Sequence, residues 1–193
     1  MFKRQVAFYT PEEYLALEEK AEYKSEYYNG EIFAMAGGSY NHNIIASNIN
    51  ALLNQFFEAK PCFVFGSDMR LLVKPNGLYT YPDVMVICGQ VQFAEGRTDT
   101  VTNPLIIVEV LSKSTRDYGR GFKFELYRTM ETLQDYILVD QTRIHIEYFH
   151  KLEEGRWVLI ETNTPDTILT IQALNLELPI NRIYHKVDWS LTQ

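Results

Sequence analysis

The sequence predicts a mixed α/β fold on the border of α+β: a central sheet of mixed strand direction flanked by helices, with an N-terminal helix and hairpin leading into it. Three observations predict it. The elements read along the chain as helix, two strands, helix, a run of strands, one more helix and further strands. Residues 39–59 repeat apolar side chains at helical spacing, with Ile45, Ile49, Leu52, Leu53 and Phe56 recurring on one face. Val84–Cys88 and residues 105–111 are short apolar runs of the kind that form strands covered on both faces.

Each element has a local reason. Thr10 caps the first helix, Pro11 suits its first turn, and Glu13 completes a capping box; the pattern runs to about residue 21. Residues 23–28 and 31–35 flank Asn29-Gly30, a strong two-residue hairpin signal. Gly37-Gly38-Ser39 leads into the long helix as a turn and cap. Residues 61–65 and 69–73 read as strands, and Pro75-Asn76-Gly77 as a turn. Residues 89–103 are polar and read as a loop. Residues 112–115 turn the chain into a helix over 116–131, where Tyr118, Phe122, Leu126 and Met130 form a stripe with Tyr127 alongside. Asp135–Asp140 and residues 143–149, 156–161 and 167–171 continue the strand pattern, while residues 181–193 are ambiguous.

Composition narrows the function. A chain of 193 residues, 46% of them hydrophobic, suits one domain over 1–193 that buries its own core. No run of about eighteen apolar residues offers a membrane-spanning helix, and the first residues lack the apolar stretch of a signal peptide. A cytoplasmic protein is the expectation. Cys62 and Cys88 stand outside any CxxC pair and beside apolar residues, so they read as two buried thiols in a reducing compartment. With 25 acids against 18 bases the net charge is −7, so the chain has no overall grip on a polyanion and any such site is local.

Glu109 is the most informative residue, because it interrupts the apolar run Ile106–Leu111. A buried carboxylate must be protonated, paired or bound to a metal. Asp83 precedes the other apolar strand, and two strands of one sheet would bring the two acids together. Paired carboxylates with water suit Mg²⁺, and the absence of a His/Cys cluster argues against zinc. Lys123 lies one helical stretch later, in a window where Lys113, Arg116, Arg120, Lys123 and Arg128 face only Asp117 and Glu125. Such a cationic helix in an acidic protein suits a phosphate, with Arg116 and Arg120 as nucleic-acid contacts. His145, His150 and His185 lack metal-ligand spacing, and Ser112, Ser114 and Thr115 read as helix caps.

Pro82-Asp83, the strand bearing Glu109, Ser112 with Ser114-Thr115, and then Asp117, Lys123 and Tyr127 together resemble the PD-(D/E)XK nuclease superfamily. More narrowly they resemble the Uma-type restriction endonucleases, as do Asn29-Gly30-Glu31-Ile32, Met35-Ala36 and His42 upstream. The resemblance covers roughly residues 10–180 and is most specific over residues 108–127. It implies a restriction-endonuclease-like core and a Mg²⁺-dependent endonuclease acting on DNA, with Mn²⁺ able to substitute. Asp83, Glu109 and the Val110 carbonyl would bind the metal. Leu111 stands where the superfamily at large has its lysine, so Lys123 would supply the amine. Asp68, Glu31, His42 and Asp117 are candidate groups around these ligands, each with a structural role as its alternative. A homodimer is expected by analogy, without organic cofactor or membrane. The competing expectations are a catalytically inactive, dimeric binding or regulatory protein of the same fold, and an unrelated α+β protein with a small-molecule pocket.

Overall fold

The computed structural model describes residues 7–112 and 116–191. Helix α1 (Pro11–Glu18) starts on the predicted capping box: the Thr10 N–H donates to Glu13 Oε2 at 2.8 Å and the Glu13 N–H to Thr10 Oγ1 at 3.2 Å. It ends at Glu18 rather than near residue 21, and the Glu18 carboxylate then accepts from the Ser25 N–H and the Tyr81 hydroxyl. Strands β1 (Ser25–Tyr28) and β2 (Glu31–Ala34) form the predicted hairpin. Asn29 and Gly30 have φ of 48° and 84°, the left-handed pair that a tight two-residue turn requires. Ser39 caps α2 (Tyr40–Phe57) by accepting from the His42 N–H.

Strands β3 (Cys62–Gly66), β4 (Arg70–Val73), β5 (Leu78–Thr80), β6 (Val84–Cys88), β7 (Thr100–Val101) and β8 (Ile106–Leu111) follow. β5 and β7 carry no strand pattern of their own in the sequence. Both are short and pair with β4, so their extended form comes from a partner rather than from local alternation. The helix predicted over 116–131 is instead three pieces: α3 (Arg116–Tyr118), a π-helical turn (Gly119–Lys123) and α4 (Phe124–Tyr127). Gly119 and Gly121 weaken the α-helix here. Gly119 also lies so close to β8 that a Cβ would stand 2.7 Å from Leu111 Cδ2.

Strands β9 (Asp135–Asp140), β10 (Ile146–Lys151), β11 (Trp157–Thr162), β12 (Ile168–Ile171) and β13 (Leu176–Pro179) complete the sheets. The ambiguous end holds α5 (Ile180–Ile183) and a 3₁₀ turn at Trp189–Leu191.

The main sheet runs β11-β10-β9-β8-β6-β3, with β8 and β9 parallel and the other neighbours antiparallel. A second sheet runs β2-β1-β5-β4-β7, and β12 pairs with β13. All six residues of β8 are buried, because each face of the main sheet is covered. Val84, Val86, Ile106 and Val108 meet Ile45, Ile49 and Leu53 of α2 on one face. Met85, Ile87, Ile107 and Leu111 meet Leu71, Val73 and Leu78 of the second sheet, with Leu126 and Tyr127, on the other. Burying each large aliphatic side chain in this way contributes roughly 1.5–3 kcal/mol. Glu109 shares the alternation of Ile107 and Leu111, so it points between the two sheets.

The reading of Cys62 and Cys88 as free thiols is corrected: they form a disulfide. The β3–β6 register sets them directly opposite one another, a pairing that the spacing of 26 residues could not reveal.

Candidate active site

Strand register builds the first pair. Val84 pairs with Val108 across the antiparallel β6–β8 ladder, and one further step sets Asp83 opposite Glu109. The Val110 N–H donates to Asp83 Oδ2 at 2.7 Å, which holds the carboxylate against β8. In an extended strand the N–H and C=O of one residue face the same neighbour, so the Val110 carbonyl opens on the Asp83 side. The register puts Pro82 across from Val110, and a proline has no N–H to offer that carbonyl.

The π-helical turn supplies the cation. Lys123 is 7% exposed, and its Nζ lies 3.0 Å from Glu109 Oε1. The Tyr127 hydroxyl, one turn further on, donates to the same oxygen at 2.8 Å. A single π turn within helical structure often marks a functional site, and this one aims Lys123 at β8.

Sequence reasoning missed Glu26. It lies on β1, is 6% exposed, and its Oε1 stands 2.9 Å from Lys123 Nζ. Thr80 donates to Glu26 Oε1 at 2.5 Å and Tyr118 to Oε2 at 3.0 Å. The available signal was alternation: Glu26 faces away from Tyr27, whose ring joins Tyr14 and Tyr79 in a separate aromatic cluster. A carboxylate on the remaining face of a covered strand needs a partner.

His42 joins from the first turn of α2, with Nε2 3.2 Å from Asp83 Oδ1. Its Nδ1 is buried without a hydrogen-bond partner. Gly38 makes room for the ring, since a Cβ there would stand 2.5 Å from Nδ1.

The electrostatics follow from burial and proximity. Burial pushes the Glu109 carboxyl up to about 7; Asp83 and Glu26 push the same way, and Lys123 opposes them. Burial alone would lower the Lys123 ammonium, but Glu109 and Glu26 outweigh it and hold it well above its usual range. Burial would raise the Glu26 carboxyl, yet Lys123 and the Thr80 and Tyr118 hydroxyls bring it below its ordinary value. Burial disfavours His42 protonation, but the hydrogen bond and charge of Asp83 win, so its pKa rises. These residues fit a hard divalent cation: two carboxylates set opposite one another lie beside a carbonyl, and positive charge would relieve the repulsion between Asp83 and Glu109.

The other predicted residues lie apart from this cluster. Asp68 is almost fully exposed and pairs with Lys24. Glu31 heads β2 opposite Tyr28, and Asp117 is exposed on α3. Arg116 and Arg120 do not stand free for phosphate: Arg116 bonds Asp140 at 2.6 Å, and Arg120 grips Glu147 through Nε and Nη2. Each faces a buried acid, so the charge of these two arginines is neutralised in the fold. Lys113, Ser114 and Thr115 lie outside the described residues. Among the described residues, His145, Glu147 and Glu161 also gather their ligand atoms closely on β10, β11 and the approach to them, with Glu147 already held by Arg120. No helix among the described residues is long and apolar enough to cross a membrane.

Known proteins resemble this chain along most of its length. A Synechocystis sp. (strain PCC 6803) protein, slr1290, is 37% identical over 175 residues, covering 91% of this chain and 90% of its own. A second protein of that organism, sll1609, is 41% identical over 152 residues, covering 79% and 86%. A crystal structure from Anabaena variabilis ATCC 29413, described as "a putative nuclease belonging to DUF820", superposes with a TM-score of 0.73 at 19% identity, over 90% of this chain and 96% of that one. That likeness establishes the shared fold. The Uma2 family, described as "Putative restriction endonuclease", matches residues 11–181, and the chain belongs to that family.

Proposed function

We propose that this protein is a metal-dependent nuclease that hydrolyses phosphodiester bonds in DNA. One observation carries the reading: the buried Lys123 ammonium lies 3.0 Å from Glu109, which stands opposite a second carboxylate, Asp83. The description of the Uma2 family supports the same reaction class.

Asp83 and Glu109 would hold Mg²⁺ or Mn²⁺, with the Val110 carbonyl as a further donor. When bound, such an ion polarises a phosphate oxygen and lowers the pKa of a bound water. Lys123 orients the attacking water or offsets the charge that develops on the phosphate. Tyr127, by donating to Glu109, limits the orientations that this carboxylate can take. His42 braces Asp83 from the α2 side. Cutting both strands of a duplex calls for two such sites, so the active unit is proposed as a two-fold pair of chains.

The alternative is a binding or regulatory protein of the same fold, and one observation favours it: Arg116 and Arg120 are both occupied by acids. One experiment separates the two readings. Plasmid and single-stranded DNA are incubated with wild type, Asp83→Ala and Glu109→Ala, with Mg²⁺ or Mn²⁺ and with EDTA. Metal-dependent cleavage that both substitutions abolish is the expected result. DNA bound but uncut under every condition supports the alternative, and full cleavage by both variants removes this site from the reaction.

A further inference from the structure

We propose that Glu26 is a positioning residue that keeps the Lys123 ammonium in the site once a divalent cation claims Glu109. The inference rests on the nuclease reading for its purpose, but its geometry belongs to the chain alone.

Lys123 Nζ has two carboxylate partners, Glu109 Oε1 at 3.0 Å and Glu26 Oε1 at 2.9 Å. The first stands opposite Asp83 on the main sheet, and the second comes from β1 on the other sheet. A cation seated on Asp83 and Glu109 withdraws Glu109 from the ammonium and adds positive charge beside it. Repulsion would then drive Lys123 out of the site unless another anion held it. Glu26 meets that need without help from Glu109. Thr80 and Tyr118 fix its two oxygens, and it is as deeply buried as the lysine.

Charge balance points the same way. With His42 neutral, three ionised carboxylates, Asp83, Glu109 and Glu26, against one ammonium leave two negative charges, which one divalent cation neutralises. Without Glu26 the loaded site would carry an excess positive charge with Lys123 as its only mobile member. The β1–β2 hairpin is therefore part of the site through one side chain, and its pairing with β5 sets where Lys123 can rest.

The test reads the lysine directly. Wild type, Glu26→Gln and Glu26→Asp are trace-acetylated with and without Mn²⁺, and Lys123 modification is quantified by peptide mass spectrometry. Mn²⁺ affinity, and kcat and KM on DNA, are measured in parallel. Lys123 of wild type is expected to stay protected in both conditions. In Glu26→Gln, Mn²⁺ should raise its modification about tenfold and kcat should fall about tenfold, with KM little changed. Glu26→Asp should restore part of both.

Lys123 equally protected in Glu26→Gln with Mn²⁺ bound overturns the proposal. Should Glu26→Gln fail to fold, Thr80→Val loosens the same carboxylate without removing its charge, and the same Mn²⁺-dependent exposure is expected at smaller amplitude. The predicted labelling pattern in a protein that binds Mn²⁺ but cuts no DNA overturns the nuclease reading and leaves the role of Glu26 standing. Cleavage without a labelling difference does the reverse. Wild type that binds no Mn²⁺ overturns both.

Discussion

Lys123 reaches Glu109 at 3.0 Å from a π-helical turn and not from the strand that carries Glu109. Two residues along that strand stands Leu111, buried in the core, on the same side of the sheet. An amine reaching in from the helix leaves the strand free for apolar packing. It also makes the site depend on how residues 116–127 sit against β8, so several consequences can be measured.

Glu109→Gln should remove cation binding and yet stabilise the metal-free protein above neutral pH. The Glu109 carboxyl rises from 4.5 to about 7 on folding. The folded chain therefore binds this proton more tightly than the unfolded chain, and stability is lost as pH climbs from the unfolded value through the folded one. That penalty, at most about 3 kcal/mol, disappears in the amide, while part of the bonding to Lys123 and Tyr127 goes with it. A net gain of about 1 kcal/mol at pH 8, and none at pH 5, is expected in urea denaturation. A loss at pH 8 would show that the ionised carboxylate is better solvated than its burial implies.

The same shift predicts a pH-dependent cation affinity. A cation binds the ionised form of Glu109, so below about pH 7 it competes with a proton and above it does not. Mn²⁺ affinity measured by calorimetry should fall about fivefold between pH 7 and pH 6 and level off above pH 8, with about one proton released per ion near pH 6. Affinity that is flat from pH 6 to 8 would exclude Glu109 as a ligand.

Asp83, Glu109 and Lys123 were legible in the sequence because each breaks a local pattern: an acid after proline, an acid in an apolar strand, a cation beside an apolar stripe; His42 was named only through the family resemblance, with a capping role as its alternative. Glu26 was not legible. Its burial is created by a second sheet whose strands β5 and β7 have no signature of their own. Arg116 and Arg120 misled for the same reason. Their partners Asp140 and Glu147 lie on strands that the sequence places but does not pair with the helix. Local elements were legible where capping, turn chemistry or periodicity decided them, as at Thr10, Asn29-Gly30 and α2. The juxtaposition of Asp83 and Glu109 was expected from two strands of one sheet, but other contacts set by register between distant elements, the Cys62–Cys88 disulfide among them, stayed hidden.

Lys123→Met should be among the most destabilising single changes in the site. It leaves Glu26 and Glu109 buried without their shared ammonium, and an uncompensated buried charge costs about 3–5 kcal/mol. Adding Glu26→Gln to that variant should recover more than about 1 kcal/mol, because the two residues form one network. Strictly additive effects in the double-variant cycle would mean that the two side chains do not interact in solution.

The disulfide makes two separate statements testable. Alkylation without reductant should leave Cys62 and Cys88 unmodified, and reduction should cost about 3.5 kcal/mol, the chain-entropy value for closing a loop of 26 residues. Cys62→Ser should match the stability of the reduced wild type and lose its response to reductant. Two alkylated cysteines in the unreduced protein would restore the thiol reading.

Gly119→Ala tests the link between packing and chemistry. Its Cβ would stand 2.7 Å from Leu111 Cδ2, and Leu111 is buried in the core between the sheets. Either Leu111 changes rotamer or the π turn lifts from β8, and overpacking of this kind costs about 1–3 kcal/mol. If the turn lifts, Lys123 retreats from Glu109 while Asp83 and the strand register are untouched. Cation affinity should then hold within about threefold, while kcat on DNA falls by about tenfold or more, since small misplacement of a reacting group is costly. Paired with Leu111→Ala, which empties the space that the new methyl would occupy, Gly119→Ala should regain turnover. A kcat unchanged in Gly119→Ala would show that Leu111 yields instead, and that the position of Lys123 is set by its two carboxylates rather than by the turn beneath it.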